Sequence, residues 1–286
     1  MNATHVLDVT RAQLFALVRR PAAWTIVAAL AVLNQVFSFL IPYISYRSSD
    51  PSGFDAGATP EELLRGTLPA EIVPNTLGGF PVFAGALTLA FGAILLGSEY
   101  GWGTFKTIAT QRPSRMSILA GQVLTIVTAV AAIVALLFVL SAVTSTAIAL
   151  GEDRSTALPS VGHLANGYLG GVLILSVWAL VGGVLAVALR SVALPVGLGI
   201  VWALGIENLV SAMADSVLDA LQPVRDVFPG VNAGSLVAAL TPEQIGTPPP
   251  GVSDAVSGGR AVATLVAYLV VAVLAGAWFH RHRDVS

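Results

Sequence analysis

The sequence predicts an all-α integral membrane protein with six transmembrane helices, an N-terminal interfacial helix and a short cytoplasmic helix between spans two and three. Of its 286 residues 55% are hydrophobic and only 10% charged, and the mean hydropathy is +0.81. An ordinary soluble domain is about 25% charged, so too little polar surface would remain here to cover a soluble fold. The chain also contains six apolar runs that are long enough to cross a bilayer, which takes roughly twenty residues.

These runs define a single transmembrane domain, 1–286, with short connections on one side and longer loops on the other. The run Ser117 to Leu150 exceeds one span, so we expect the third helix to tilt or to project from the membrane. Only Arg190 and Ser191 separate spans four and five, which requires a tight turn. The spans are expected at about 22–43, 79–97, 117–141, 168–189, 192–214 and 261–279.

Lysine and arginine are distributed unevenly between the two sides that six spans define. Nine of the 14 lie in the N-terminus, loop 98–116, the 190–191 turn and the C-terminus. The other five lie in loops 44–78, 142–167 and 215–260. Because cytoplasmic loops carry the excess of these residues, we expect the first set and both termini to be cytoplasmic and the three longer loops to be external.

Residues 1–21 precede the first span and are expected to form an interfacial helix along the inner leaflet. Asp8, Arg11 and Arg19 cluster on one half of the helical wheel, while Phe15 departs from the pattern. A helix with such opposed faces lies in the plane of the membrane surface. A short cytoplasmic helix with no membrane contact is the alternative. The apolar half contains Val6, Leu7, Val9, Leu14, Leu17 and Val18.

Two external loops contain local helix signals. In loop 44–78, Thr59 and Glu62 have the spacing of a capping box, with Pro60 at the first helical position. In loop 215–260, apolar residues recur at helical spacing between Val217 and Phe228, in a stretch that Pro223 breaks. Such an apolar face must pack against something, either by dipping into the outer leaflet or capping a translocation path, or as a surface helix resting on the spans.

The segment "GSEYGWGTFKTIATQRPSRMSILAG", residues 97–121, is short, basic and interrupted by glycine and proline. Gly101 and Gly103 break the preceding helix and permit a turn. Thr104 can cap a short helix, which Pro113 ends because the residue before a proline is pushed out of the helical region. The positive-inside rule explains the charges of this loop but not this order of breaker, cap, helix and proline.

The short helix has one apolar side. Trp102, Phe105 and Ile108 recur every three residues along it, while Lys106 and Arg112 remain in water. Ser114 can then cap the third span, and Arg115 is expected at the level of the lipid headgroups. The segment is therefore expected to lie across the cytoplasmic face as a small helix built for contact.

This order of residues resembles the type-2 ABC transporter permeases, which are membrane subunits of exporters related to bacterial antibiotic, lantibiotic and sodium efflux systems. The resemblance extends to the layout of the whole chain, although many relatives carry a basic residue where Gln122 follows Gly121. The residues that carry the motif are Glu99, Gly101, Gly103, Thr104, Pro113, Ser114, Arg115 and Gly121.

The resemblance implies that the short helix is a coupling helix, which docks in a groove of a separate cytoplasmic ATPase subunit. Two permeases, either two copies of this chain or this chain and a homologous permease, would join two ATPases, with the path at the permease dimer axis. It also implies the cytoplasmic membrane of a bacterial cell. The candidate coupling residues are Glu99, Gly103, Thr104, Phe105, Lys106, Ile108, Arg112 and Arg115.

The chain is not expected to be an enzyme itself. It lacks the Gly-x-x-x-x-Gly-Lys-Ser/Thr loop that binds nucleotide phosphates, so ATP and Mg²⁺ are expected on the partner subunit and no cofactor on this chain. With no cysteine and four scattered or terminal histidines, no metal site is expected. A net charge of −2 gives no reason to expect nucleic acid as a partner, whereas membrane lipid is one.

Polar residues inside spans are the remaining candidates, for a substrate path. Glu207 is the one acid placed clearly within a span, where a carboxylate is costly and indicates function or a buried partner. Asn208 is beside it, and Asn34 and Gln35 lie in the middle of span one. For Asn34 and Gln35 hydrogen bonding between helices is the preferred interpretation. The glycine pairs Gly170-Gly171 and Gly182-Gly183 favour close helix packing in span four.

Two other functions remain open from the sequence. A secondary transporter would use Glu207 as an ion or proton site, although the chain has no evident inverted repeat. A non-transporting membrane scaffold or regulatory subunit is the other. The substrate itself is not readable, because aliphatic spans look alike whether they face cargo or lipid.

Overall fold

The computed structural model describes residues 3–48, 58–101, 114–216, 218–241, 245 and 248–282, and this part of the chain is helical, with no β-strand. Within this part of the chain, six helices are long and apolar enough to cross a membrane, as predicted. The protein is therefore a multi-pass helical membrane protein. The six spans are Pro21–Ser48, Pro69–Gly97, Met116–Gly151, Val161–Leu189, Ala193–Ala214 and Gly258–Phe279.

Shorter helices surround these spans. An N-terminal helix, Ala3–Val18, precedes the first span, and a capped helix, Pro60–Gly66, precedes the second. The capping box predicted at Thr59 and Glu62 is confirmed, since each residue's side chain accepts a hydrogen bond from the other's backbone N–H. Between spans five and six lie Asp219–Leu221, Gln222–Arg225 and Pro229–Ala239.

Several helices end elsewhere than predicted. The third continues to Gly151 and the fourth begins at Val161, so most of loop 142–167 is helical. No glycine or proline interrupts the chain between residues 122 and 150, and the helix therefore projects beyond the length that a bilayer requires. The predicted tight turn is confirmed at Arg190, which ends the fourth span in a left-handed conformation with φ of 51°.

The apolar face predicted between Val217 and Phe228 does not form one helix. Among the described residues, a 3₁₀ turn and a four-residue helix occupy 219–225, and Val224 is exposed. Pro223 lies in the first turn of the short helix, where a backbone N–H has no partner within the helix and its absence carries no cost. A helix that began before residue 219 could not continue through Pro223, because the proline ring would clash with the preceding turn. The buried helix of this region, Pro229–Ala239, follows instead and was not predicted.

Three spans each contain one π-helical segment, in which an N–H group bonds to the carbonyl five residues back. In the second span this segment contains Pro81, which has no N–H to donate to a carbonyl of the preceding turn. The N–H of Ala84 then bonds to the oxygen of Gly79 at 2.9 Å. The three segments are Val36–Leu40, Phe80–Ala84 and Val201–Ile206.

Spans two and four form the centre of the bundle, and most of their side chains are buried. A Cβ atom added to Gly92 would overlap the carbonyl of Ala179, and one added to Gly182 would overlap the carbonyl of Leu89. The two backbones therefore touch. The predicted close packing at Gly182-Gly183 is confirmed, and Gly170-Gly171 likewise lies against leucine side chains, the partly buried Leu240 and the buried Leu77.

Glu152 joins the C-terminal end of span one to the C-terminal end of span three. Its carboxylate accepts hydrogen bonds from the hydroxyls of Tyr43 at 2.7 Å and Tyr46 at 3.0 Å. Arg47 adds an ion pair at 3.3 Å. Nearby, an exposed pair joins Arg154 to Glu61 at 2.9 Å.

We expect Glu152→Gln to lower the thermal stability of the purified protein at neutral pH but not under acid conditions. The two tyrosine hydroxyls hold the pKa of the Glu152 carboxyl below its ordinary value of 4.5. A depressed pKa stabilises the fold above that ordinary value, and the contribution is lost as the pH falls through the folded pKa. Melting temperatures of the two proteins should therefore converge well below pH 4.5.

Glu61→Gln is the matched control, because it removes a carboxylate of the same face whose ion pair is exposed. Exposed pairs contribute little, so its melting temperature should follow that of the unmodified protein at every pH. Equal losses for the two variants would contradict the role of Glu152.

Candidate functional site

The predicted coupling segment falls largely outside the described residues. Gly103, Thr104, Phe105, Lys106, Ile108 and Arg112 lie in 102–113, which the structure does not describe. Glu99 lies in the last turns of the helix Gly85–Gly101, and Arg115 begins the helix Arg115–Gly151. Ser114 caps that helix by accepting a hydrogen bond from the N–H of Ser117, as predicted.

Gly121, at the end of the same motif, lies against the N-terminal helix. The Thr10 hydroxyl donates to the Gly121 carbonyl at 3.3 Å, and both groups are buried. A Cβ on Gly121 would come within 2.5 Å of a methyl group of Val9. The absence of a side chain at Gly121 thus permits the N-terminal helix to pack directly against the start of span three. In the sequence, Gly121 follows the predicted coupling helix by a few residues.

Glu207 caps the buried helix Pro229–Ala239. One of its carboxylate oxygens accepts a hydrogen bond from the N–H of Gly230 at 2.8 Å. This N–H belongs to the first turn of that helix, where no partner within the helix exists. Only 4% of Glu207 is exposed, so the hydrogen bond from Gly230 takes the place of the hydrogen bonds that water would make to this side chain.

The indole N–H of Trp202 donates to the other oxygen of Glu207. Because the chain is π-helical up to residue 206, side chains five positions apart lie on the same face, which brings Trp202 next to Glu207. The Trp202 ring also packs edge-on against Phe228, with ring centres 5.4 Å apart. Glu207 and Trp202 therefore attach span five to the start of the buried helix.

Asn208 does not join this cluster. It is exposed, and its side-chain amide donates to the carbonyls of Ala203 and Leu204 in its own helix. Glu207 and Asn208 therefore lie in different environments although they are adjacent in sequence.

Asn34 and Gln35 take part in hydrogen bonds between spans. The Ser141 hydroxyl donates to Asn34 at 3.2 Å, and the Thr144 hydroxyl donates to Gln35 at 2.6 Å. The amide of Asn34 in turn donates to the carbonyl of Asn75 at 2.9 Å. These contacts connect spans one, two and three and agree with the preferred interpretation of hydrogen bonding between helices.

The four substrate-path candidates thus occupy three separate environments, and their role in a substrate path stays a prediction. The structure adds four residues that the sequence did not single out: Trp202, Gly230, Ser141 and Thr144. Their signals in sequence are weak, because single serines, threonines and glycines occur throughout the spans. Within the described ranges, no group of three His, Asp or Glu side chains is placed to hold a metal.

The six apolar helices define the class of the chain, a multi-pass helical membrane protein. No protein-family model matches the chain, and no curated protein matches it either.

Proposed function

We propose that the chain is the permease subunit of an ATP-driven ABC exporter, paired with a second copy or a homologous permease and with two cytoplasmic ATPase subunits. The observation that carries the proposal is the order of residues 97–121. The capping of span three by Ser114 and the contact of Gly121 with the N-terminal helix support it. In this arrangement both termini are cytoplasmic, in a bacterial cytoplasmic membrane, and the N-terminal helix lies along the inner leaflet.

In this proposal the ATPase partner hydrolyses ATP, and this chain forms the translocation path. ATP binding closes the ATPase dimer, and the coupling helix at 104–112 transmits the movement to spans two and three. Phe105 and Ile108 provide apolar anchors in the groove of the ATPase, while Lys106 and Arg112 provide charge at its edge. The proposal therefore assigns ATP and Mg²⁺ to the partner and no cofactor to this chain.

We expect Phe105→Ala to weaken binding of the ATPase encoded beside this chain by roughly 30-fold, the effect of losing a contact of about 2 kcal/mol. Arg112→Glu should also weaken binding, more strongly at low salt. Arg65→Glu, in the loop predicted to be external, is the charge-reversal control and should bind normally. Affinity is measured with purified proteins in nanodiscs.

Failure to bind any ATPase, in detergent and in membranes, would refute the proposal. Efflux and ATPase binding that both survive Arg112→Glu would instead favour the scaffold. A secondary transporter remains the second candidate because Glu207 is a buried acid within a span. Gradient-driven transport without ATP that Glu207→Gln abolishes would favour it.

A further inference from the structure

A cavity of about 500 Å³ opens in the half of the bundle away from the N-terminus. Its walls come from four parts of the chain: span one between Leu30 and Pro42, the stretch from Ala58 to Ala84, Leu137 of span three, and described residues between Val237 and Val252. Most of the lining side chains are apolar. Both its volume and its walls are those of a small-molecule site.

Two phenylalanines of the cavity lining are also exposed on the outside of the bundle. Phe37 and Phe83 line the cavity, and their rings stack nearly parallel with centres 6.3 Å apart. They remain 48% and 44% exposed on spans whose surroundings are lipid. Each belongs to a π-helical segment, in span one and span two respectively. An apolar chain in the bilayer can therefore reach the cavity between these two spans.

The part of the lining formed by the helix Pro60–Gly66 and the start of span two carries negative charge. Glu62 and Glu71 belong to the lining, and no Lys, Arg or His does so among the residues that the structure describes. Glu62 is exposed and lies in the helix before span two. The N–H and hydroxyl of Thr59 donate to its carboxylate and hold its pKa below the ordinary range, so the group is ionised at neutral pH.

The hydroxyl and amide groups of the lining already donate to the protein. Each donates a hydrogen bond to a backbone carbonyl oxygen, and the charged side chains of the described lining are the carboxylates of Glu62 and Glu71. A phosphate or sulfate head would need donors, whereas an ammonium group needs acceptors. The donating side chains are Asn34, Ser38, Asn75, Thr76 and Thr241.

We propose that this cavity binds a single-chain cationic amphiphile, with its apolar chain between spans one and two and its ammonium group at Glu62 and Glu71. The chain passes the two phenylalanine rings from the lipid, and the head reaches the aqueous end where Glu62 is exposed. This inference concerns equilibrium binding by the described residues of one chain. It goes beyond the proposed export function and holds or fails without the ATPase.

The experiment measures binding of labelled dodecyltrimethylammonium to the purified full chain in nanodiscs of uncharged lipid, below the concentration at which the probe forms micelles. Empty nanodiscs give the background partitioning. We expect saturable binding to one site per chain, displaced by unlabelled probe but not by dodecyl sulfate at the same concentration. Binding without saturation, or equal displacement by dodecyl sulfate, would overturn the proposal.

Two carboxylate variants test the position of the head. Glu62→Gln combined with Glu71→Gln should weaken binding by about tenfold, the effect of losing two partly exposed charge pairs. Glutamine preserves the capping box; if the double variant fails to fold, Glu62→Gln alone is measured. Glu61→Gln is the matched control, since Glu61 is adjacent but pairs with Arg154 outside the cavity lining. Unchanged binding by the folded Gln variant contradicts the proposal.

Discussion

Gly182→Ala is expected to destabilise the folded bundle by about 2 kcal/mol, within the range measured for overpacked cores. The added methyl group would overlap the backbone carbonyl of Leu89, which has no rotamer by which to move aside. Spans two and four must separate to accommodate it, and this separation loosens contacts along both helices. Thermal unfolding of the purified protein, followed by circular dichroism, measures the effect, and Gly92→Ala should behave alike because it faces the carbonyl of Ala179.

Gly197→Ala is the matched control within another span. Nothing lies within 4 Å of a Cβ placed there. Alanine in a helix interior is favoured over glycine by roughly 0.5–1 kcal/mol, so this variant should be unchanged or slightly more stable. The same substitution thus has opposite signs at the two sites, and equal destabilisation at both would argue against the direct backbone contact.

Glu207→Ala should cost about 3 kcal/mol, because it leaves the buried N–H of Gly230 and the partly buried indole N–H of Trp202 without an acceptor, and each buried unsatisfied donor costs about 1–3 kcal/mol. The loss should be local at first, with faster proteolysis and hydrogen exchange in the helix Pro229–Ala239 than in span four. Hydrogen exchange measured by mass spectrometry distinguishes this pattern from general unfolding.

Asn208→Ala is the control for the adjacent position. Asn208 is exposed and bonds only within its own helix among the contacts described, so the change should stay within about 0.5 kcal/mol. Glu207→Gln should be intermediate, because one oxygen can still accept from Gly230 while the amide group faces the Trp202 donor. A Glu207→Ala protein as stable as the unmodified one would exclude the capping role.

The six spans were readable from sequence because each is a long apolar run, and burial in a bilayer requires little more than that. The limits of the spans were less readable. Membrane thickness predicts an end near residue 141 for the third, whereas the absence of a breaker carries the helix to Gly151. Helix starts were predicted correctly where the capping residues are neighbours in sequence, as at the Thr59 capping box and the Ser114 cap.

The buried helix Pro229–Ala239 could not be predicted, because its sequence "PGVNAGSLVAA" has small residues on every side and no apolar face. Its position depends on Glu207, which lies 23 residues earlier in the chain. An isolated acid in a span indicated importance, yet only the fold shows the partner. Asn34 likewise indicated a polar contact, while its partner Ser141 is one serine among many.

The candidate coupling residues stay predictions of the sequence, since 102–113 fall outside the described residues. What the fold adds is the contact between Gly121, a few residues later in the sequence, and the N-terminal helix. No pattern in the first twenty residues predicted that contact, because an apolar face on a helix does not identify the surface against which the helix packs.

The backbone contact between spans two and four also affects how the chain is made. Gly182 lies 90 residues after Gly92, with the whole third span between them. At about 5–20 residues per second, the ribosome completes the fourth span roughly 5 to 18 s after the second. Throughout that delay the glycine face of the second span has no partner from its own chain, so correct assembly depends on what lipid or insertion machinery covers that face in the meantime.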